Sequence, residues 1–100
     1  KNNDDIKKKY NLILSSTKKR KVLSKDSQGD PSKFEIILSI NYQVLENDNL
    51  LLKRSIDKSY IYKNNSDKFK LEQNEKIIVE NLTEDISNII ISTIINLNDN

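Results

Sequence analysis

The stretch Phe34-Glu35-Ile36-Ile37-Leu38-Ser39-Ile40-Asn41-Tyr42-Gln43-Val44 decides the fold of this chain. Its even positions, Phe34, Ile36, Leu38, Ile40, Tyr42 and Val44, are all apolar or aromatic, and Glu35, Ser39, Asn41 and Gln43 fall between them. Side chains along a strand alternate between faces, so the segment reads as a strand with one face for a core and one for water. Ile37 and Leu45 break the alternation. A sheet covered on one side and wet on the other is antiparallel in most proteins, so the partners should lie immediately before and after this segment.

Upstream, Asp26-Ser27-Gln28-Gly29-Asp30-Pro31-Ser32 holds the single Gly and single Pro together with residues that turn the backbone through side-chain hydrogen bonds. Before this loop, Tyr10, Leu12 and Leu14 share one face, Asn11 and Ser15 the other, and Ile13 is the exception. The run Lys18-Lys19-Arg20-Lys21 follows, and Val22 resumes the first face. The pattern predicts a strand over about 10–24, basic in its second half. Residues 1–9 are polar and charged and read as a flexible or linking segment.

Downstream, Asn47-Asp48-Asn49 reads as a tight turn, because Asn and Asp tolerate the left-handed backbone that hairpins need. A third strand is expected over about 50–62, with Leu50, Leu52, Ile56, Tyr60 and Tyr62 on one face. Arg54 and Lys58 fall on that same side, so either their stems snorkel at a sheet edge or a bulge switches the register. Asn64-Asn65-Ser66-Asp67 then supplies N-cap candidates and a negative first turn. Beyond it the period changes: Leu71, Ile78, Leu82, Ile86, Ile89, Ile90, Thr93 and Leu97 recur at helical spacing. A helix over about 67–97 would be roughly 45 Å long. Its last turns, with Ile89-Ile90-Ile91 and Ile94-Ile95, are apolar almost all round and are expected to be buried on more than one side.

The chain thus reads as one α+β domain, residues 1–100, a three-stranded antiparallel meander packed on one long C-terminal helix in the order β-β-β-α. One helix leaves part of such a sheet uncovered, so a further element, from upstream sequence or from a partner, is expected to complete it.

Composition narrows the chemistry. The chain has no His, Cys, Met, Trp or Ala. It therefore lacks the side chain that titrates near neutrality, and any thiol nucleophile or thiolate metal site. A single Gly excludes Gly-rich phosphate loops, and no Ser sits in a nucleophile elbow. No catalytic residues, cofactor or metal are expected, and the protein reads as a non-enzymatic binding or assembly module. Lys, Ile and Asn supply 44 residues, as AT-rich codons would, so much of the Lys content carries no message. Charge placement carries more: residues 1–33 have a net charge of +6 and residues 34–100 of −4. No apolar run reaches the roughly 18 residues of a membrane span, and no signal peptide is visible. The first residue is not Met, so sequence upstream is expected.

Beginning with the polar stretch that ends at Lys9, the pattern resembles the C-terminal two-thirds of the LPS-assembly lipoprotein (LptE-like) family. The residues that carry the likeness are the strand from Tyr10, the loop Gln28-Gly29 leading into Phe34-Glu35-Ile36-Ile37-Leu38-Ser39-Ile40, and Tyr42-Gln43-Val44-Leu45. After these come a strand ending in Tyr60 and Tyr62, and a helix with Leu82, Asp85-Ile86 and Ile89-Ile90. The likeness spans about residues 6–97. It implies a strand and a helix ahead of these residues, and a lipidated Cys upstream that anchors the protein at the periplasmic face of the outer membrane. It also implies packing inside the β-barrel LPS translocon (LptD-like) and contact with lipopolysaccharide. The family's LPS-contacting Arg aligns with Asp30, with Lys33 the nearest cation. Its Lys early in the last helix falls at about Leu71, flanked by Lys68 and Lys70.

Lys18, Lys19, Arg20, Lys21, Lys33, Lys68 and Lys70 are accordingly the candidate ligand-binding residues. In a strand, Lys18 and Arg20 point one way and Lys19 and Lys21 the other. One pair could meet lipid A phosphates, Arg with paired donors and Lys as a point charge. The same run also reads as a basic surface for nucleic-acid phosphates, or as a solvated edge strand that resists aggregation. Tyr42, Tyr60 and Tyr62 could stack bases, yet the glycines of an RNA-recognition sheet are missing and core packing is the simpler reading. Glu72, Glu75, Glu80, Glu84 and Asp85 read as the solvated face of the helix.

Overall fold

A computed structural model describes residues 9–98. The expected linking segment, apart from Lys9, lies outside them. Three antiparallel strands, β1 (Tyr10–Lys25), β2 (Pro31–Glu46) and β3 (Asn49–Lys63), form one sheet in the order β1-β2-β3, and the helix α1 (Lys68–Asn98) follows. The fold is the α+β arrangement that the hydrophobic periods predict.

Both turns follow from their residues. Asn47 and Asp48 both have positive φ, 51° and 70°, which gives a two-residue hairpin whose twist matches the strands it joins. In the other turn the Asp26 carboxylate accepts hydrogen bonds from the backbone N–H groups of Gln28 and Asp30, and Gly29 takes the φ of 86°. A bulge between Val44 and Leu45 sets Leu50 opposite Leu45, off the face that Leu52 shares with Val44. Leu50 therefore leaves the face the sequence assigns it. From Leu52 to Lys63 the register is unbroken, so Arg54 and Lys58 do lie on the core side, and both are exposed at the outer edge. Of the two alternatives, the edge placement is the one adopted.

The core is the even face of β2 under one stripe of α1. Phe34, Ile36, Leu38, Ile40, Tyr42 and Val44 are buried with Tyr62 and with Ile78, Leu82, Ile86 and Ile90. Asp67 caps the helix: its carboxylate accepts from the N–H groups of Phe69 and Lys70. The negative charge at the helix start is this cap alone, for the first turn has no acidic residue.

The helix backbone runs near β2 and β3 and stays clear of β1. Four residues join β3 to α1, and Asn64 is tied to the far turn through the carbonyls of Ser32 and Pro31. So short a connection returns the chain over the nearest strands. The sheet is left partly uncovered, as expected of a single helix, and one expectation about the helix changes. Leu12 and Leu14 lie on the helix side of the sheet yet are 41% and 52% exposed. The last helical turns are buried on one side only: Ile86 and Ile90 pack in the core, Ile91 and Ile95 are each 54% exposed, and Ile89 is exposed as well. No described helix is long and apolar enough to cross a membrane.

This packing ranks the isoleucines. Ile86 is fully buried, so Ile86→Ala should destabilise by about 3 kcal/mol through lost burial and the cavity left behind. Ile91→Ala should cost no more than about 0.5 kcal/mol. Urea denaturation of the two variants measures the difference.

Candidate functional site

Strand alternation divides the basic residues between the two faces of the sheet. Arg20 pairs with Ile36 and Lys18 with Leu38, which puts both on the helix side. Lys19 pairs with Ile37 and Lys21 with Glu35, on the open side. Lys33 lies on the open side too, opposite Lys63 of β3. Lys68 and Lys70 stand in the first turn of α1. The seven candidates therefore share one end of the molecule without sharing a surface.

Arg20 is engaged within the fold. Its guanidinium lies 4.3 Å from the centre of the Phe34 ring, and Nη1 donates to Glu75 Oε2 at 2.9 Å. The Tyr62 hydroxyl donates to the same carboxylate oxygen at 2.5 Å. Glu75 is thus an anchor from the helix to both outer strands, in contrast to the solvated role its place in the sequence implies. Its side chain is 18% exposed and that of Arg20 49%. Burial above all, then the hydrogen bond to Glu75 and that residue's charge, hold the Tyr62 phenol protonated well above its usual range, while Arg20 acts in the opposite sense. Lys18 lies beside this clasp in a shallow groove with Glu72, Glu75, Lys76, Val79 and Glu80. Lys68 borders a second groove with Arg20, Phe34 and Glu75. Both grooves mix the two signs of charge.

The open side is different. Along its middle, register sets Ser15, Asn41 and Ser55 in one row and Thr17, Ser39 and Asp57 in the next. The Ser55 hydroxyl donates to the Asn41 side-chain oxygen. Towards the turn at 26–30 the rows become Lys19, Ile37 and Ser59, then Lys21, Glu35 and Ile61, then Lys33 and Lys63. Lys21 reaches Glu35 at 3.9 Å, a loose pair whose cation is exposed and whose carboxylate is partly buried. Lys63 was not evident from the sequence, because only the bulge at Val44/Leu45 brings it opposite Lys33. The alternation of β3 nevertheless marks it as facing away from Tyr62.

All four tyrosines have even numbers and belong to the helix side. Tyr42 and Tyr62 are buried there, so neither ring offers a stacking surface. No cluster of His, Cys, Asp and Glu suited to a metal occurs among the described residues. No protein-family model matches the chain, and no curated protein matches it.

The clasp has two measurable consequences. Arg20→Ala should destabilise by about 1 kcal/mol, since the ion pair is half in solvent and the ring contact adds a comparable amount. A double-mutant cycle with Glu75→Gln should return a coupling of about 0.5 kcal/mol. Because the Tyr62 pKa is raised in the folded state, the stability it confers is complete below the unfolded tyrosine value near 10 and is lost as pH rises above it. Tyr62→Phe should therefore lose less stability than wild type between pH 9 and pH 11, as read by urea midpoints.

Proposed function

We propose that this protein is an outer-membrane assembly component of the LPS-assembly lipoprotein type, packing within a β-barrel translocon (LptD-like) and helping to bind or deliver lipopolysaccharide. One observation carries the reading: among the described residues a whole face of the sheet has no covering layer, and it is polar along its middle and basic at one end. The lumen of an outer-membrane barrel is polar. A sheet face of Ser15, Ser39, Asn41, Gln43 and Ser55 suits such a wall, with Ile13 and Leu50 exposed at the end away from the lysines. The resemblance over residues 6–97 points the same way. Binding, with no bond made or broken, is the activity these residues support, and lysine ammoniums are the groups that would meet the phosphates.

The full gene product, isolated from its own cells, is expected to fractionate with the outer membrane. After mild crosslinking it should co-purify with a β-barrel protein and with lipopolysaccharide. Recovery in the soluble cytoplasmic fraction with neither would sink the proposal.

A further inference from the structure

We infer that the basic end of the open sheet face is a docking surface for a phosphorylated lipid headgroup, formed by Lys19, Lys21, Lys33 and Lys63 around Ile37 and Ile61. The inference rests on the proposed function only for the identity of the lipid. Lys33 and Lys63 stand directly across from each other on neighbouring strands, a placement that destabilises a sheet when the charges are alike. Neither has an ion pair among the described residues. Past the link that follows β3, Lys68 and Lys70 occupy the first helical turn, where the helix dipole disfavours cations. Two independent elements thus crowd positive charge into one end of the fold against their own stability. An anion bound on the open face relieves the repulsion between Lys33 and Lys63.

The neighbours say which anion. Glu35 is the carboxylate within the patch, and it already faces Lys21. Ile61 is 55% exposed and Ile37 half-buried, so apolar side chains stand between the ammoniums. That combination fits the boundary of an amphiphile, where phosphates and the first methylenes of the acyl chains meet. It does not fit nucleic acid, whose single strands are held by aromatic stacking, for the tyrosines are all on the other side of the sheet. Charges spread over three strands of a flat face also suit an extended headgroup better than a free phosphate ion.

The test is co-sedimentation of the purified chain with phosphatidylcholine vesicles containing lipopolysaccharide, beside vesicles containing phosphatidylglycerol at equal phosphate. A single-stranded oligonucleotide and inorganic phosphate serve as competitors. Saturable binding to the lipopolysaccharide vesicles is expected. Lys33→Gln with Lys63→Gln should weaken it roughly 30-fold, while Lys58→Gln with Lys76→Gln, the same change of charge on the helix side, should stay within about 3-fold of wild type. The first pair relieves a repulsion, so its melting temperature should be no lower than wild type, which separates lost binding from lost folding. Equal losses in the two pairs, displacement by inorganic phosphate, tighter binding of the oligonucleotide, or no vesicle binding by the folded chain each overturn the inference. Equal binding to the two kinds of vesicle supports the patch and counts against the assembly reading.

Discussion

Burial of one face of β2 is the constraint on which the rest of the structure depends. β2 is the central strand, so β1 and β3 satisfy its backbone on both edges, and its six even side chains must find apolar cover on one side. α1 supplies that cover with a single apolar stripe. A helix is about 10 Å across, and adjacent strands are about 4.8 Å apart, so one helix covers two strands and not three. The four-residue link from β3 decides which two. The exposed Leu12 and Leu14 of β1, the half-bare flank of α1 at Ile91 and Ile95, and the need for a clasp to hold the helix over the sheet all follow from that choice.

The clasp answers a specific difficulty. β1 has no helix backbone near it, so its basic half would lie on the core side with nothing above it. Arg20 resolves this by laying its guanidinium on Phe34 and its charge on Glu75, while Tyr62 reaches the same carboxylate from β3. The helix is thereby fastened near its N-terminus to both outer strands by one side chain. The charge network orders the helix across the sheet and adds little net energy, as expected for a pair whose cation is half in solvent.

Element order and type were legible in the sequence because each element carries its own period: two through Phe34–Val44, and close to 3.6 from Leu71 onward. The turns were legible because Asn47, Asp48 and Gly29 are residues that accept positive φ. The reach of the helix across the sheet was not legible, since no local pattern records which strands a helix overlies. That the bare part of the sheet falls at Leu12 and Leu14, and the difference at Ile91 and Ile95, come from that gap. The bulge at Val44/Leu45 was also hidden, for Leu50 and Leu51 are both leucine and either fits the covered face. The candidate site was half legible. Alternation correctly parts Lys18 and Arg20 from Lys19 and Lys21. The pairing of Arg20 with Glu75 and the meeting of Lys33 with Lys63 join residues far apart in the chain, and no local period records them.

The two faces of the sheet consequently bear different charge logic. On the helix side the cations near the clasp have carboxylates beside them: Arg20 with Glu75, and Lys18 and Lys76 with Glu72, Glu75 and Glu80. A ligand phosphate approaching there would meet repulsion as well as attraction and would compete with contacts that hold the fold. On the open side Lys19, Lys33 and Lys63 have no such duty, and loss of their charge costs the fold nothing. Binding energy is best drawn from groups whose interactions are unfilled in the free protein, because nothing must be broken to use them. The most conspicuous cation of the sequence, Arg20, is therefore the least suited of the cluster to meet a ligand, and the less conspicuous lysines at the ends of β2 and β3 are better placed to do so.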